Sequence, residues 1–153
     1  MANSLKRFTQ EGLFSFYLPG EWSHQIEPDG TQVFWHLQSG SGTLRVSSVT
    51  SNKSVDAAGA PAAQVLNKKS AIYVRKDGVA WTSYREIPNR YEEPTLMLWW
   101  ELANFIAPKY FRIAFFSFTI YAREEEETAT SDMVNLLHEQ LPASEFGPLL
   151  DWE

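Results

Sequence analysis

The chain alternates between strand-like and helix-like spacing. Gly12 to Leu18 (GLFSFYL) is a short aromatic run, and Pro19-Gly20 closes it with a pair that stops a strand and starts a turn. From Gln32 to Leu37, Val33, Trp35 and Leu37 fall on one side and Phe34 and His36 on the other. Ser39 to Gly42 (SGSG) reads as a loop, and Thr43 to Thr50 alternates again, with Leu44 and Val46 opposite Arg45 and Ser47. This spacing predicts a meander of three strands.

The pattern changes after Ser51. Residues 54 to 69 are Ala-rich, with Val55, Ala58, Ala62, Val65 and Leu66 in a weak helical stripe, and Pro61 bars a helix that runs through it. A mid-chain helix is therefore predicted over 60–69. Ala71 to Arg75 and Val79 to Ile87 flank Lys76-Asp77-Gly78, and Asp-Gly between β-rich runs is a strong hairpin signal. Residues 88 to 94 (PNRYEEP) form a loop. Leu96 to Ala103 and Phe111 to Tyr121 are the most apolar runs. The second is apolar on both sides, which predicts a central strand covered on both faces.

A C-terminal helix follows. Glu124 to Glu127 are expected in its first turn, where acids favour the positive end of the helix dipole. Met133, Val134, Leu137 and Leu141 recur at helical spacing until Pro142. Residues 143–153 read as a tail held by Phe146, Leu149, Leu150 and Trp152. The expected architecture is a single α+β domain over 1–153. It has an antiparallel sheet of about six to seven strands, with the mid-chain and C-terminal helices packed on it.

Composition narrows the class. The 153 residues are 44% hydrophobic and 21% charged, as in an ordinary globular domain. Without cysteine, disulfides, thiolate metal sites and cysteine nucleophiles are excluded. No apolar run is long enough for a membrane span or a signal peptide, so no membrane association and a cytoplasmic location are expected. The net charge of −6 is uneven: residues 1–120 carry twelve Lys and Arg against ten acids, and residues 121–153 carry Arg123 against nine. No basic cluster offers a footprint for nucleic acid.

Motifs for chemistry are sparse. His24, His36 and His138 have no metal-ligand spacing, and the one composite site open to them joins His24 with Glu27 or Asp29. No Gly-x-Ser-x-Gly elbow occurs, and Ser39 to Gly42 lacks the lysine of a phosphate loop. The four consecutive acids at 124–127 point around a helix axis and do not converge. No cofactor, no metal and no catalytic set is expected.

The richest surface lies in the second half. Trp81, Ser83 and Arg85 share one side of their strand, and Met97, Trp99 and Glu101 share one side of theirs. If the strands pair, Trp81, Arg85, Trp99 and Glu101 can form one surface with the composition of a protein interface. The alternative is that a helix covers this face and Arg85 pairs with Glu101.

The segment Phe14-Ser15-Phe16-Tyr17-Leu18-Pro19-Gly20-Glu21-Trp22 resembles the opening motif of the PsbP-like superfamily: an aromatic strand, Leu-Pro, then a Trp. That superfamily includes the extrinsic photosystem II subunit, a Ran-binding import factor and DcrB-like proteins. The resemblance implies an α+β fold, Trp22 capping a sheet edge, and a binding or assembly role without catalysis. The lack of a lipoprotein or transit signal points to a bacterial branch apart from the photosynthetic and envelope ones. Two functions are expected. The first is an adaptor or immunity-type module binding another protein, its acidic C-terminal region steering a basic partner. The second is a small-molecule binder with an aromatic pocket between sheet and helices, lined by Trp35, Trp81 and Trp99.

Overall fold

The computed structural model describes residues 5–10, 13–36, 42–51, 66, 69–88, 94–107 and 110–146. Two antiparallel sheets form. β1 (Leu5–Gln10), β2 (Phe14–Pro19) and β10 (Glu145–Phe146) make a three-stranded sheet in the order β1-β2-β10. β3 (Ser23–Ile26), β4 (Gln32–Trp35), β5 (Thr43–Ser51), β6 (Ile72–Val74), β7 (Ala80–Glu86), β8 (Thr95–Ala107) and β9 (Tyr110–Tyr121) make a seven-stranded one in the order β3-β4-β5-β9-β8-β7-β6. The helix α1 (Thr128–Gln140) follows β9. The broad α+β reading holds, with the sheet divided in two.

Successive strand residues point to opposite faces, so register sorts the side chains. Phe34 pairs with Leu44, Leu44 and Leu98 with Phe118, and Val46 and Trp100 with Phe116. These seven define the inner face of the large sheet. Phe14 and Phe16 of the small sheet meet Phe116 edge-on, at 5.8 and 5.4 Å between ring centroids. Leu137 and Leu141 complete the same core. The aromatic content thus fills a two-layer interior, where each ring removes ~150–250 Å² from water. Side-chain amides join the layers at their margin: Gln32 donates to the Thr9 carbonyl at 2.9 Å, and Ser48 donates to Gln10 at 3.0 Å.

β9 is the fourth strand of seven, the central place its sequence predicts. On its outer face Ser117 is buried and Ile113, Phe115 and Thr119 are half-buried. Leu66 packs there against Ala80 and Ala103.

The hairpin of β6 and β7 forms at Asp77-Gly78, with a longer loop than a two-residue turn. Gly78 donates to the Arg75 carbonyl at 3.0 Å and Arg75 to the Val79 carbonyl at 2.8 Å. Gly78 carries φ +90, which a side chain would strain. Arg75 then clamps the hairpin to the end of α1, donating to the Pro142 and Ser144 carbonyls at 2.9 and 2.6 Å. Asp77, hydrogen-bonded by Arg75, has its carboxyl held below the usual range by that guanidinium.

Several expectations are corrected. Among the described residues there is one α-helix, not two. Most of 60–69 lies outside them, and Leu66 and Lys69 are in bends. Glu124 to Glu127 precede α1 and do not form its first turn. Ala122–Glu124 make a 3-10 turn, Glu124 is buried, and the extended backbone of Glu127 postpones the helix to Thr128. The expected tail over 143–153 is partly structured. Leu141–Ala143 form a second 3-10 turn, and β10 then pairs with β2. Its later residues, 147–153, lie outside the described residues. Trp22 caps no edge; it is buried and stacks on Phe118 of the central strand at 6.4 Å.

Candidate functional site

The four residues expected on one surface divide between two. Trp81 pairs with Leu102 and Arg85 with Leu98, so both are on the inner face. Trp99 pairs with Tyr84 and Glu101 with Thr82, so both are on the outer face. Arg85 does not pair with Glu101. Its guanidinium grips both carboxylate oxygens of Glu125, at 2.7 and 3.1 Å. Glu101 is buried and accepts from the Tyr84 hydroxyl at 2.5 Å. Trp81 stacks on Tyr73 at 4.7 Å, and Trp99 on Tyr84 at 6.2 Å.

A cleft of about 550 Å³ lies between α1 and the β7–β8 ladder. From the sheet come Ser83, Arg85 and Leu98 of the inner face. From the helix come Ser131, Val134 and His138, at spacings of three and four that put them on one stripe. Lys69, Ser70 and Glu125 stand at the border, as do Tyr84 and Trp99. β6 pairs only with Ala80 to Thr82, and so is too short to cover Ser83 to Glu86. Of Trp35, Trp81 and Trp99, only Trp99 borders this cleft.

His138 is the residue with the most constrained chemistry. Trp100, fully buried, donates its indole N–H to His138 Nδ1 at 3.2 Å. Burial pulls the imidazole below its ordinary value, so the neutral ring is favoured. With Nδ1 accepting, the neutral ring carries its proton on Nε2. The indole N–H of Trp99, also buried, meets no acceptor among the described residues. At the cleft's edge Lys69 donates to Glu86 at 3.1 Å and lies over the Tyr84 ring at 5.3 Å.

The other histidines are elsewhere. His24 stacks on Phe34 at 4.5 Å, while Glu27 lies 3.9 Å from Arg45 and Asp29 accepts from the Thr31 backbone. The composite of His24 with Glu27 or Asp29 is therefore not assembled. His36 lies 3.6 Å from Glu21. Among the described residues no group of three or more His, Asp and Glu side chains is placed to hold a metal ion. No described helix is long and apolar enough to cross a membrane. The helical stripe of the cleft is not legible in the sequence because Ser131 and His138 are exposed polar positions on α1 with no apolar pattern to mark them. The signal is Trp100, since a buried Trp beside the apolar run Leu96 to Trp99 needs an acceptor for its N–H.

No family model matches the chain, and no curated protein matches it in sequence. A crystal structure from Bacteroides thetaiotaomicron VPI-5482 is similar in fold, with a TM-score of 0.51 and 20% sequence identity. The similarity covers 82% of this chain and 46% of that one, so this chain spans less than half of its neighbour's length. The likeness is one of fold alone.

Proposed function

We propose that the protein is a cytoplasmic, non-catalytic binding domain that takes a small molecule in the cleft between α1 and β7–β8. The observation that carries this is the concavity itself. A recess of about 550 Å³ falls in the size range of ligand sites, and polar groups converge on it around Leu98 and Val134. The flat aromatic surface that would suit a protein partner is divided between two faces. Non-catalytic binding is supported by the bonding of His138. Its hydrogen bond is to an indole rather than to a serine or a carboxylate, so among the described residues it is paired with neither a nucleophile nor an orienting acid. A protein partner, in an adaptor or immunity-type role, is the second reading. Edge strand β6 favours it, because Tyr73 and Val74 are exposed there as an unpaired strand would need for augmentation. The PsbP-like kinship is likewise a proposal, supported by the aromatic strand β2 ending in the turn that the Trp22 N–H closes on the Pro19 carbonyl.

The test is an amide NMR titration with one- and two-ring aromatic fragments. Shifts should centre on Ser83, Leu98, Ser131, Val134 and His138. Val134→Trp, which fills the recess from α1, should abolish them while the melting temperature stays close to wild type. Shifts centred on Tyr73 and Val74, or none, would overturn the small-molecule reading.

A further inference from the structure

The cleft has a surplus of hydrogen-bond donors. Its carboxylate at the border, Glu125, is gripped through both oxygens by Arg85. Glu86 receives Lys69. The acceptor nitrogen of His138 is taken by Trp100. What remains is the His138 Nε2–H, the donors of Arg85 beyond the two that Glu125 uses, and the hydroxyls of Ser83 and Ser131. Trp99, whose buried indole N–H has no acceptor among the described residues, borders the same space. Of these donors the Trp99 indole N–H is buried, where a missing acceptor is costly, while His138, Arg85 and Ser131 are exposed and can exchange water for a ligand, so a ligand gains by supplying acceptors. Between these donors lie the apolar side chains of Leu98 and Val134 and the ring of Trp99, which suit a flat apolar body.

Charge restricts the acceptor. Lys69 and Arg85 are matched by Glu86 and Glu125, so the border is formally neutral. Glu124, Glu126 and Glu127 adjoin it in sequence. A phosphate dianion would meet that acidic run without a net positive charge to hold it. A single negative charge can still draw charge-assisted hydrogen bonds from Arg85, whose side chain is 60% exposed and open to approach. Resting on the cleft reading above, we propose that the ligand is a small aromatic carboxylic acid. Its carboxylate accepts from His138 Nε2–H and Arg85, and its ring packs on Leu98 and Val134.

Three probes of one shape test this: 2-naphthoate, 2-naphthamide and 2-naphthylmethylammonium, titrated into the full chain by amide NMR. Naphthoate should bind about tenfold tighter than the amide, since a charge-assisted hydrogen bond is roughly twice as strong as a neutral one. The ammonium should bind weakest. Arg85→Gln, a surface change, should narrow the gap between carboxylate and amide. His138→Phe should weaken both acceptors, and if it unfolds the chain, the Arg85→Gln comparison decides alone. Equal affinity of the three probes at the cleft, or preference for the ammonium, would overturn the carboxylate assignment and leave the cleft as a binding site. No shifts at the cleft from any probe, up to its solubility limit, would overturn both.

Discussion

The bond between Trp100 and His138 ties the helix to the centre of the sheet, and its strength can be measured. Trp100 is among the largest fully enclosed side chains, and its ring meets His138 edge-on at 5.0 Å. Replacing His138 with Leu keeps apolar contact but leaves the indole N–H without its acceptor. An unsatisfied buried donor costs ~1–3 kcal/mol, so a loss of about 2 kcal/mol is expected. His138→Gln retains an acceptor and should cost under about 1 kcal/mol. Trp100→Phe removes the donor and opens a cavity of its own. In that background His138→Leu should cost less than about 0.5 kcal/mol, giving a coupling of about 1–2 kcal/mol. Urea unfolding at constant m-value is the assay. An equal cost for His138→Leu with and without the Trp100 indole would refute the reasoning.

The same histidine sets an acid limit. Burial holds its folded-state pKa below 6.5, so the unfolded chain binds the proton more readily. Its contribution to stability is therefore complete above about pH 6.5 and is lost as the pH falls below that value. His24 acts in the same direction, lowered by burial first and by Lys6 second. The stability gap between wild type and His138→Leu should accordingly narrow between about pH 7.5 and pH 5.5. A gap that widens on acidification would contradict the neutral, Nδ1-accepting ring.

Two further outcomes follow from packing. A Cβ at Gly42 would stand 2.3 Å from the Phe118 ring, so Gly42→Ala should destabilise the fold by ~1–3 kcal/mol in urea unfolding, whereas a neutral result would show that Phe118 can shift. Arg75→Ala removes the donor to the Pro142 and Ser144 carbonyls, and should cost ~1–3 kcal/mol and speed hydrogen exchange in β10 and at the end of α1, with unchanged exchange there counting against the clamp.

How far the sequence speaks depends on how strongly each element is patterned. β9 and the β6–β7 hairpin were legible because one is apolar on both faces and the other has a turn with its own chemistry. β1 and β3 were not. LKRFTQ buries only Phe8 and Gln10, and SHQI is an exposed edge, so neither shows an alternating apolar side. Both are strands because a neighbour supplies the ladder, and that is tertiary context. The start of α1 was misplaced for a related reason. Glu125 is held by Arg85 from another element, and a run of acids carries no record of that partner. The expected four-residue surface failed on register alone. Alternation within β7 and within β8 is plain in the sequence, yet Trp81 faces Leu102 and Tyr84 faces Trp99. Which parity pairs across two strands is not encoded in either strand by itself, and a slip of one residue moves every side chain to the other face.

That register also links stability to the cleft. Because Trp100 is on the inner face, its N–H must find an acceptor within the α1–sheet interface, and the one it finds is His138 Nδ1. The neutral imidazole has a single proton, so satisfying the core at one nitrogen fixes the proton on the other. The donor offered to the cleft is thus a consequence of core packing. Trp100→Phe removes that constraint: either tautomer of His138 is then open, and the ring can present an acceptor where the wild type presents a donor. On the proposed reading, this fully buried substitution, with no contact to any ligand, weakens the preference for an acceptor-bearing probe and leaves apolar contact with Leu98 and Val134 in place. The inner-face place of Trp100, the tautomer of His138 and, on that reading, the choice of ligand are then linked through one hydrogen bond.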